Sequence, residues 1–155
     1  MRPLFFVDFE ASGIAPDSYP IEIAIVSAGS QYQALIKPVR YWDHWSYDAQ
    51  DMHGITREDL LERGTDALAL ALELNDRFRG VEVCSDSTQD VFWLDTLYEA
   101  AGIEPGFAIK PLEAFMSRED AGKVIKLMST RKAHRALPDA LDLMKAVDQH
   151  YSQAT

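Results

Sequence analysis

Apolar residues follow two different rhythms along the chain. Up to Val39 they come in short runs divided by turn formers, and beyond Thr56 they recur at every third and fourth position. Leu4 to Glu10 (LFFVDFE) is rich in β formers and stops short of Gly13, so it reads as a strand opening into a turn. Ile21 to Ala28 (IEIAIVSA) and Tyr32 to Val39 (YQALIKPV) are parted by Gly29 and Ser30. They predict a hairpin, and the three runs together predict an antiparallel meander with Pro38 at a strand end or edge.

Thr56 to Arg63 and Thr65 to Arg79 each open on a threonine and follow helical spacing. Leu68, Leu72 and Phe78 are core candidates there, and Gly80 is the stop signal. A short strand, Val81 to Ser85, leads into a helix carrying Val91, Leu94, Leu97, Tyr98 and Ala101 and ending at Gly102. Ile109 to Met116 reads as a further short strand and Ser117 to Met128 as a helix. Leu137, Leu141, Met144 and Val147 mark one face of a last helix, with Pro138 in its first turn. Three antiparallel strands followed by alternating helices and strands predict an α/β layer fold, a single domain over residues 1–155 without repeats or a linker.

Composition narrows the classes. The 155 residues are 47% hydrophobic, enough for an ordinary core. The net charge of −10 argues against coating long nucleic acid by counterion release, which needs clustered Lys and Arg. It does not exclude a nuclease, because acids can hold divalent cations that supply the positive charge. The single cysteine, Cys84, allows neither a disulfide framework nor a cysteine zinc site and is expected as a buried thiol. No apolar run approaches the ~20 residues that span a bilayer, and two acids fall within the first ten residues, so the expectation is no membrane segment and a cytoplasmic location.

Three places concentrate acids and a histidine. Asp8 and Glu10 lie two apart on a strand and share a face, about 7 Å from each other. Such a pair is unfavourable beside apolar residues unless a cation with oxygen ligands sits between them, or unless both acids fray into solvent. Asp86 and Asp90 occupy the polar turn after the strand at Val81 to Ser85. Either can complete a metal site there, and either can serve the following helix as a cap or first-turn acid. His134 precedes the last helix and Asp139 falls on its first turn, which suits a general base beside an anion, or equally a surface histidine with a capping acid.

Taken in order, FVDFEASG, SDSTQDVFWL and HRALPDAL resemble the three exonuclease motifs of the DEDDh family, which includes ribonuclease T, oligoribonuclease and proofreading domains. The resemblance runs from Phe6 to Leu141 and takes in MHGIT at Met52 to Thr56, where many members carry a His-Gly-Ile stretch. It implies a ribonuclease H-like mixed sheet flanked by helices. It also implies a 3′→5′ exonuclease that uses two Mg²⁺ or Mn²⁺ ions to hydrolyse phosphodiesters at the 3′ end of single-stranded or short nucleic acid, releasing nucleoside 5′-monophosphates. Asp8 would bridge both metals, Glu10 and Asp139 would hold the one that activates water, Asp90 would take the remaining acidic place, and His134 would be the general base. Where the family often reads His-Asn-x-x-Phe-Asp, this chain reads Ser85, Asp86, Ser87, Thr88, Gln89, Asp90, so Asp86 competes with Asp90.

Ala11, Ser12 and Gly13 correspond to the turn that approaches the terminal nucleotide in the related enzymes, and Phe9 could stack on a base. His53 reads mainly as a maker of local hydrogen bonds. Tyr41, Trp42, Trp45 and Tyr47 could stack on bases or pack, and the exposed aromatics around Trp42 could serve a homodimer, since many relatives pair. Lys126, Arg131, Lys132 and Arg135 form the densest basic patch, as a phosphate contact or a solvated loop. Two other classes stay open: a silent nuclease-fold binding or regulatory module, and a small-nucleotide phosphatase.

Overall fold

The computed structural model describes residues 3–128 and 132–153. Its strands are β1 (Phe5–Ala11), β2 (Pro20–Ser27), β3 (Ser30–Leu35), β4 (Glu82–Ser85) and β5 (Ala108–Pro111). Its helices are α1 (Tyr47–His53), α2 (Arg57–Arg63), α3 (Ala67–Phe78), α4 (Gln89–Ala101), α5 (Arg118–Leu127) and α6 (Ala136–Gln153). The sheet order is β3-β2-β1-β4-β5, antiparallel on the β1, β2, β3 side and parallel on the β1, β4, β5 side. This is the mixed sheet that the resemblance implied.

Period-two alternation divides the sheet into two covered faces. Val7, Phe9, Ile21, Ile23, Ile25 and Val83 pack with α3 and α4 through Leu70, Leu74, Leu94 and Leu97. Phe6, Ala24, Val26 and Cys84 pack with α5 and α6 through Val124, Ala140 and Leu143. All eight residues of β2 are buried, because both faces of this strand are roofed by helices. Cys84 is buried as expected, and burial pushes its thiol up to about 12, which removes thiolate reactivity.

Several elements depart from the sequence reading. Leu68 and Leu72 are 44% and 54% exposed; the buried stripe of α3 is Ala67, Leu70, Ala71, Leu74 and Phe78. The run ALALALEL places leucines on two faces, and only the packing of α3 on α4 chooses between them. The helix starts at Ala67 because Thr65 exchanges backbone hydrogen bonds with the strand beyond β3, leaving Asp66 to cap it through the N–H of Ala69. Val91 also lies at the surface.

In α6 the deepest positions are Ala136, Ala140, Leu143, Ala146 and Val147, with Leu137, Leu141 and Met144 flanking them. Alanines let this helix approach β1 and β2 closely, a reason for burial that leucine spacing does not reveal. The predicted strand at Ile109 stops at Pro111 and passes into a 3-10 turn, Leu112–Ala114. Helix α1 was not anticipated: YDAQDMH has no apolar period, and its start is fixed by the Ser46 hydroxyl accepting from the N–H of Ala49. Among the described residues no helix is long and apolar enough to cross a membrane.

Candidate metal centre and adjoining pocket

On β1 the alternation that turns Val7 and Phe9 toward α4 turns Asp8 and Glu10 toward α6. The pairing with β2 slips just after this point, between Glu10 and Ala11, which bends the strand end where the acids emerge. Asp139 arrives from the first turn of α6, and Asp86 and Asp90 arrive from the turn between β4 and α4. Asp8, Glu10 and Asp139 each offer an oxygen within 4.8 Å of the others, and so do Asp8, Asp86 and Asp90. The two groups share Asp8. Both Asp86 and Asp90 therefore reach the centre, although the sequence posed them as competitors.

These carboxylates crowd one another, and no lysine, arginine or histidine among the described residues forms an ion pair with them. Burial, then Asp90, Glu10 and Asp139, hold Asp8 well above the usual carboxylate range. Burial, then Asp139 and Glu22, push Glu10 up to about 8. Burial likewise raises Asp90 to about 7, against the opposing Ser85 hydroxyl and Phe9 N–H. Asp139 is raised by burial and pulled down by the Ala133 N–H and the charge of Lys132. Asp8 Oδ2 is buried with no hydrogen-bond partner. An all-carboxylate donor set with an orphaned buried oxygen fits hard divalent cations such as Mg²⁺ or Mn²⁺.

The neighbouring arginine is already committed. Arg135 donates to both oxygens of Glu22, Nε at 3.0 and 3.2 Å and Nη2 at 2.6 Å, and the Ala136 N–H donates to the same carboxylate at 2.8 Å. Glu22 lies opposite Glu10 across the β1–β2 pair, so this clamp neutralises an acid that would otherwise repel the centre. It also pins the start of α6 to β2. His134, next to the clamp, has φ 56°, the one positive φ of a non-glycine residue among those described. Asp139 Oδ1 accepts from the Ala133 N–H at 3.1 Å, tying the histidine loop to the same helix.

Beside Glu10 opens a pocket of about 440 Å³ whose walls include Phe9, Ala11, Gly13, Met52, His53 and Trp93. Of the four residues expected to contact substrate, Ser12 does not line it. Its hydroxyl accepts from the Tyr19 N–H and lies 3.0 Å from His44 Nδ1, while its backbone bonds Tyr19 and Ser46. A Cβ on Gly13 would sit 2.5 Å from His44 Cε1, so a larger residue there would have to displace the His44 ring. His53 makes the local bond expected of it: Nδ1 accepts from the Ile55 N–H at 3.0 Å. That bond assigns the proton to Nε2, which is buried in the pocket wall without a partner. Burial also lowers the His53 pKa, which favours this neutral form.

The weaker expectations divide. Trp42 is buried and stacks on Tyr19 at 5.0 Å and 13°, so it is not a free surface aromatic. Tyr41 and Tyr47 are exposed, and Trp45 packs edge-on to His53. Two of the four members of the basic patch are engaged, Lys132 with Asp142 at 3.5 Å and Arg135 with Glu22; Lys126 is exposed on α5, and Arg131 lies outside the described residues. Glu22 was missed by sequence reasoning, and its signal was present as the one charged position inside the apolar run IEIAIV.

No family model matches the chain, and no curated protein matches it. Solved structures do. Exonuclease I from Methylocaldum szegediense superposes with a TM-score of 0.61 at 15% identity, covering 96% of this chain and 41% of that one. A further exonuclease I structure gives 0.70 at 16% identity, covering 99% and 42%. E. coli exonuclease I in complex with a dT13 oligonucleotide gives 0.68 at 14%, covering 99% and 41%. The chain thus has the ribonuclease H-like fold found in exonuclease I and spans about two-fifths of the length of those proteins.

Proposed function

We propose that this chain is a metal-dependent 3′→5′ exonuclease that hydrolyses the terminal phosphodiester of single-stranded or short nucleic acid and releases nucleoside 5′-monophosphates. The observation that carries the reading is the pair of carboxylate groups sharing Asp8, set beside a pocket within the size range of small-ligand sites. The fold shared with exonuclease I supports it, and so does the order of the three sequence motifs.

In this reading Asp8, Glu10 and Asp139 would hold one Mg²⁺ or Mn²⁺, and Asp8 with Asp90 would hold the other. Bound there, two such ions supply acidification of water and neutralisation of charge on the attacking and leaving oxygens. His134 accepts the proton of the attacking water, and the Asp139 bond to Ala133 keeps its loop in place. Phe9 and Trp93 flank the terminal base, and the backbone at Ala11 and Gly13 lies against the sugar. The His53 Nε2–H donates to a substrate oxygen, which gives that buried donor the partner it lacks. Ser12 supports the turn from behind. Where the chain pairs with itself, exposed Tyr41 and Tyr47 are available to the contact and Trp42 is not.

Single-stranded DNA is the first substrate to offer, because exonuclease I of the same fold has been solved with dT13 and dA16. The test uses 5′-labelled and 3′-labelled DNA and RNA oligonucleotides with Mg²⁺, Mn²⁺ or EDTA. Stepwise shortening from the 3′ end that stops in EDTA is expected. Cleavage that persists in EDTA, or begins at the 5′ end, would remove the reading. Monoester hydrolysis alone would point to a phosphatase, and metal uptake without cleavage to a silent binding module.

A further inference from the structure

We propose that Asp86 is a direct ligand of the second divalent cation, together with Asp8 and Asp90, so that the centre carries five carboxylates. The inference rests on the metal-dependent reading above and deepens it. An oxygen of Asp86 lies within 4.8 Å of oxygens of both Asp8 and Asp90. Cys84 faces the α5 and α6 layer, and Asp86 follows just past the end of β4, in the turn that brings it to Asp8.

The turn that presents Asp86 is built independently of it. Ser85 Oγ lies 2.8 Å from the Ser87 carbonyl and 2.6 Å from Asp90 Oδ2, and it accepts from the Ser87 N–H at 3.0 Å. These contacts fix the β4–α4 turn and occupy one oxygen of Asp90, which is only 3% exposed and also receives the Phe9 N–H. Asp90 is therefore tied largely to protein groups. Asp86 is half-buried, and no lysine, arginine or histidine among the described residues pairs with it. The independent mark of a ligand is Asp8 Oδ2, buried in the same centre with nothing to accept from. A cation among these three carboxylates satisfies that oxygen and offsets their mutual repulsion. The two acids of the turn then have different tasks: Asp90 anchors the site to β1, and Asp86 closes it on the solvent side.

The test is titration of the whole chain with Mn²⁺ alone, without nucleic acid, followed by calorimetry and by the electron paramagnetic resonance signal of free Mn²⁺. The unaltered chain is expected to take up two ions. Asp86→Asn should take up the first with unchanged affinity and the second roughly tenfold or more weakly, whereas Glu10→Gln should weaken the first. In EDTA the melting temperature of Asp86→Asn should equal or exceed that of the unaltered chain, because a repelling charge is gone, and Mn²⁺ should raise it less. Two ions bound to Asp86→Asn with unchanged affinities, or a marked loss of its melting temperature in EDTA, would overturn the proposal. Metal-dependent exonuclease activity alongside that result would leave the functional reading standing. Conversely, weakened uptake of the second ion by Asp86→Asn, with no cleavage of any oligonucleotide by the unaltered chain, would sink the exonuclease reading and keep Asp86 as a ligand.

Discussion

His134 carries the most telling single-residue feature. A non-glycine residue at φ 56° costs on the order of 1 kcal/mol, and the loop keeps this geometry because Asp139, Arg135 and Glu22 fix the backbone on either side of it. The general-base role proposed for His134 should be separable from metal binding. His134→Ala is expected to lower kcat roughly 10²- to 10⁴-fold while leaving Mn²⁺ uptake unchanged. Single-turnover kinetics paired with the Mn²⁺ titration reads both quantities, and full activity in that variant would strike His134 from the mechanism. Asp8, Glu10, Asp139 and His134 were singled out in the sequence by the order of the three motifs, and the fold brings the three acids of that set together. Glu22 and the Nε2 of His53 were not, because their significance lies in partners far along the chain or absent from it.

At the scale of elements, α3 and α6 show where a repeating pattern underdetermines packing. Leu70→Ala should cost roughly 2–5 kcal/mol, the range for a buried leucine, and Leu68→Ala should stay within about 0.5 kcal/mol. Urea midpoints compare the two, and equal losses would contradict the assigned face. The clamp between β2 and α6 is the second case. Glu22→Ala removes the acceptor of both Arg135 and the Ala136 N–H and should cost roughly 1–3 kcal/mol. That is below the figure for a fully buried ion pair, because Arg135 is 43% exposed and can turn to water. The same variant should also lower the rate of the proposed exonuclease reaction by loosening the His134 loop, measured under saturating Mn²⁺.

For the whole molecule, the acidic centre links stability to pH and metal. Glu10 rises from an ordinary value of 4.5 to about 8 in the folded chain, and Asp8, Asp90 and Asp139 shift in the same direction. Between those limits the folded state holds protons that the unfolded state has released, so unfolding becomes easier as pH rises. In EDTA the melting temperature is expected to fall from pH 4.5 toward about 8 as far as this group governs it. Mg²⁺ or Mn²⁺ should raise it most at the alkaline end, since the cations bind the deprotonated acids and release their protons. Differential scanning calorimetry across that range is the check. A metal-free melting temperature that climbs over the whole interval would contradict the arrangement.

The sequence by itself determined the strand meander, the order of helices and strands from α2 onward, and the residue types of the centre. Period-two and helical spacing, together with locally unfavourable charges, are properties of neighbouring residues. Only the tertiary structure decided that Asp86 and Asp90 both face Asp8, that Ser12 and Trp42 turn inward, and which leucines of α3 are buried. It also decided that Arg135 belongs to Glu22, 113 positions away. These outcomes depend on which surfaces of distant segments meet across the sheet, and no local period encodes that choice.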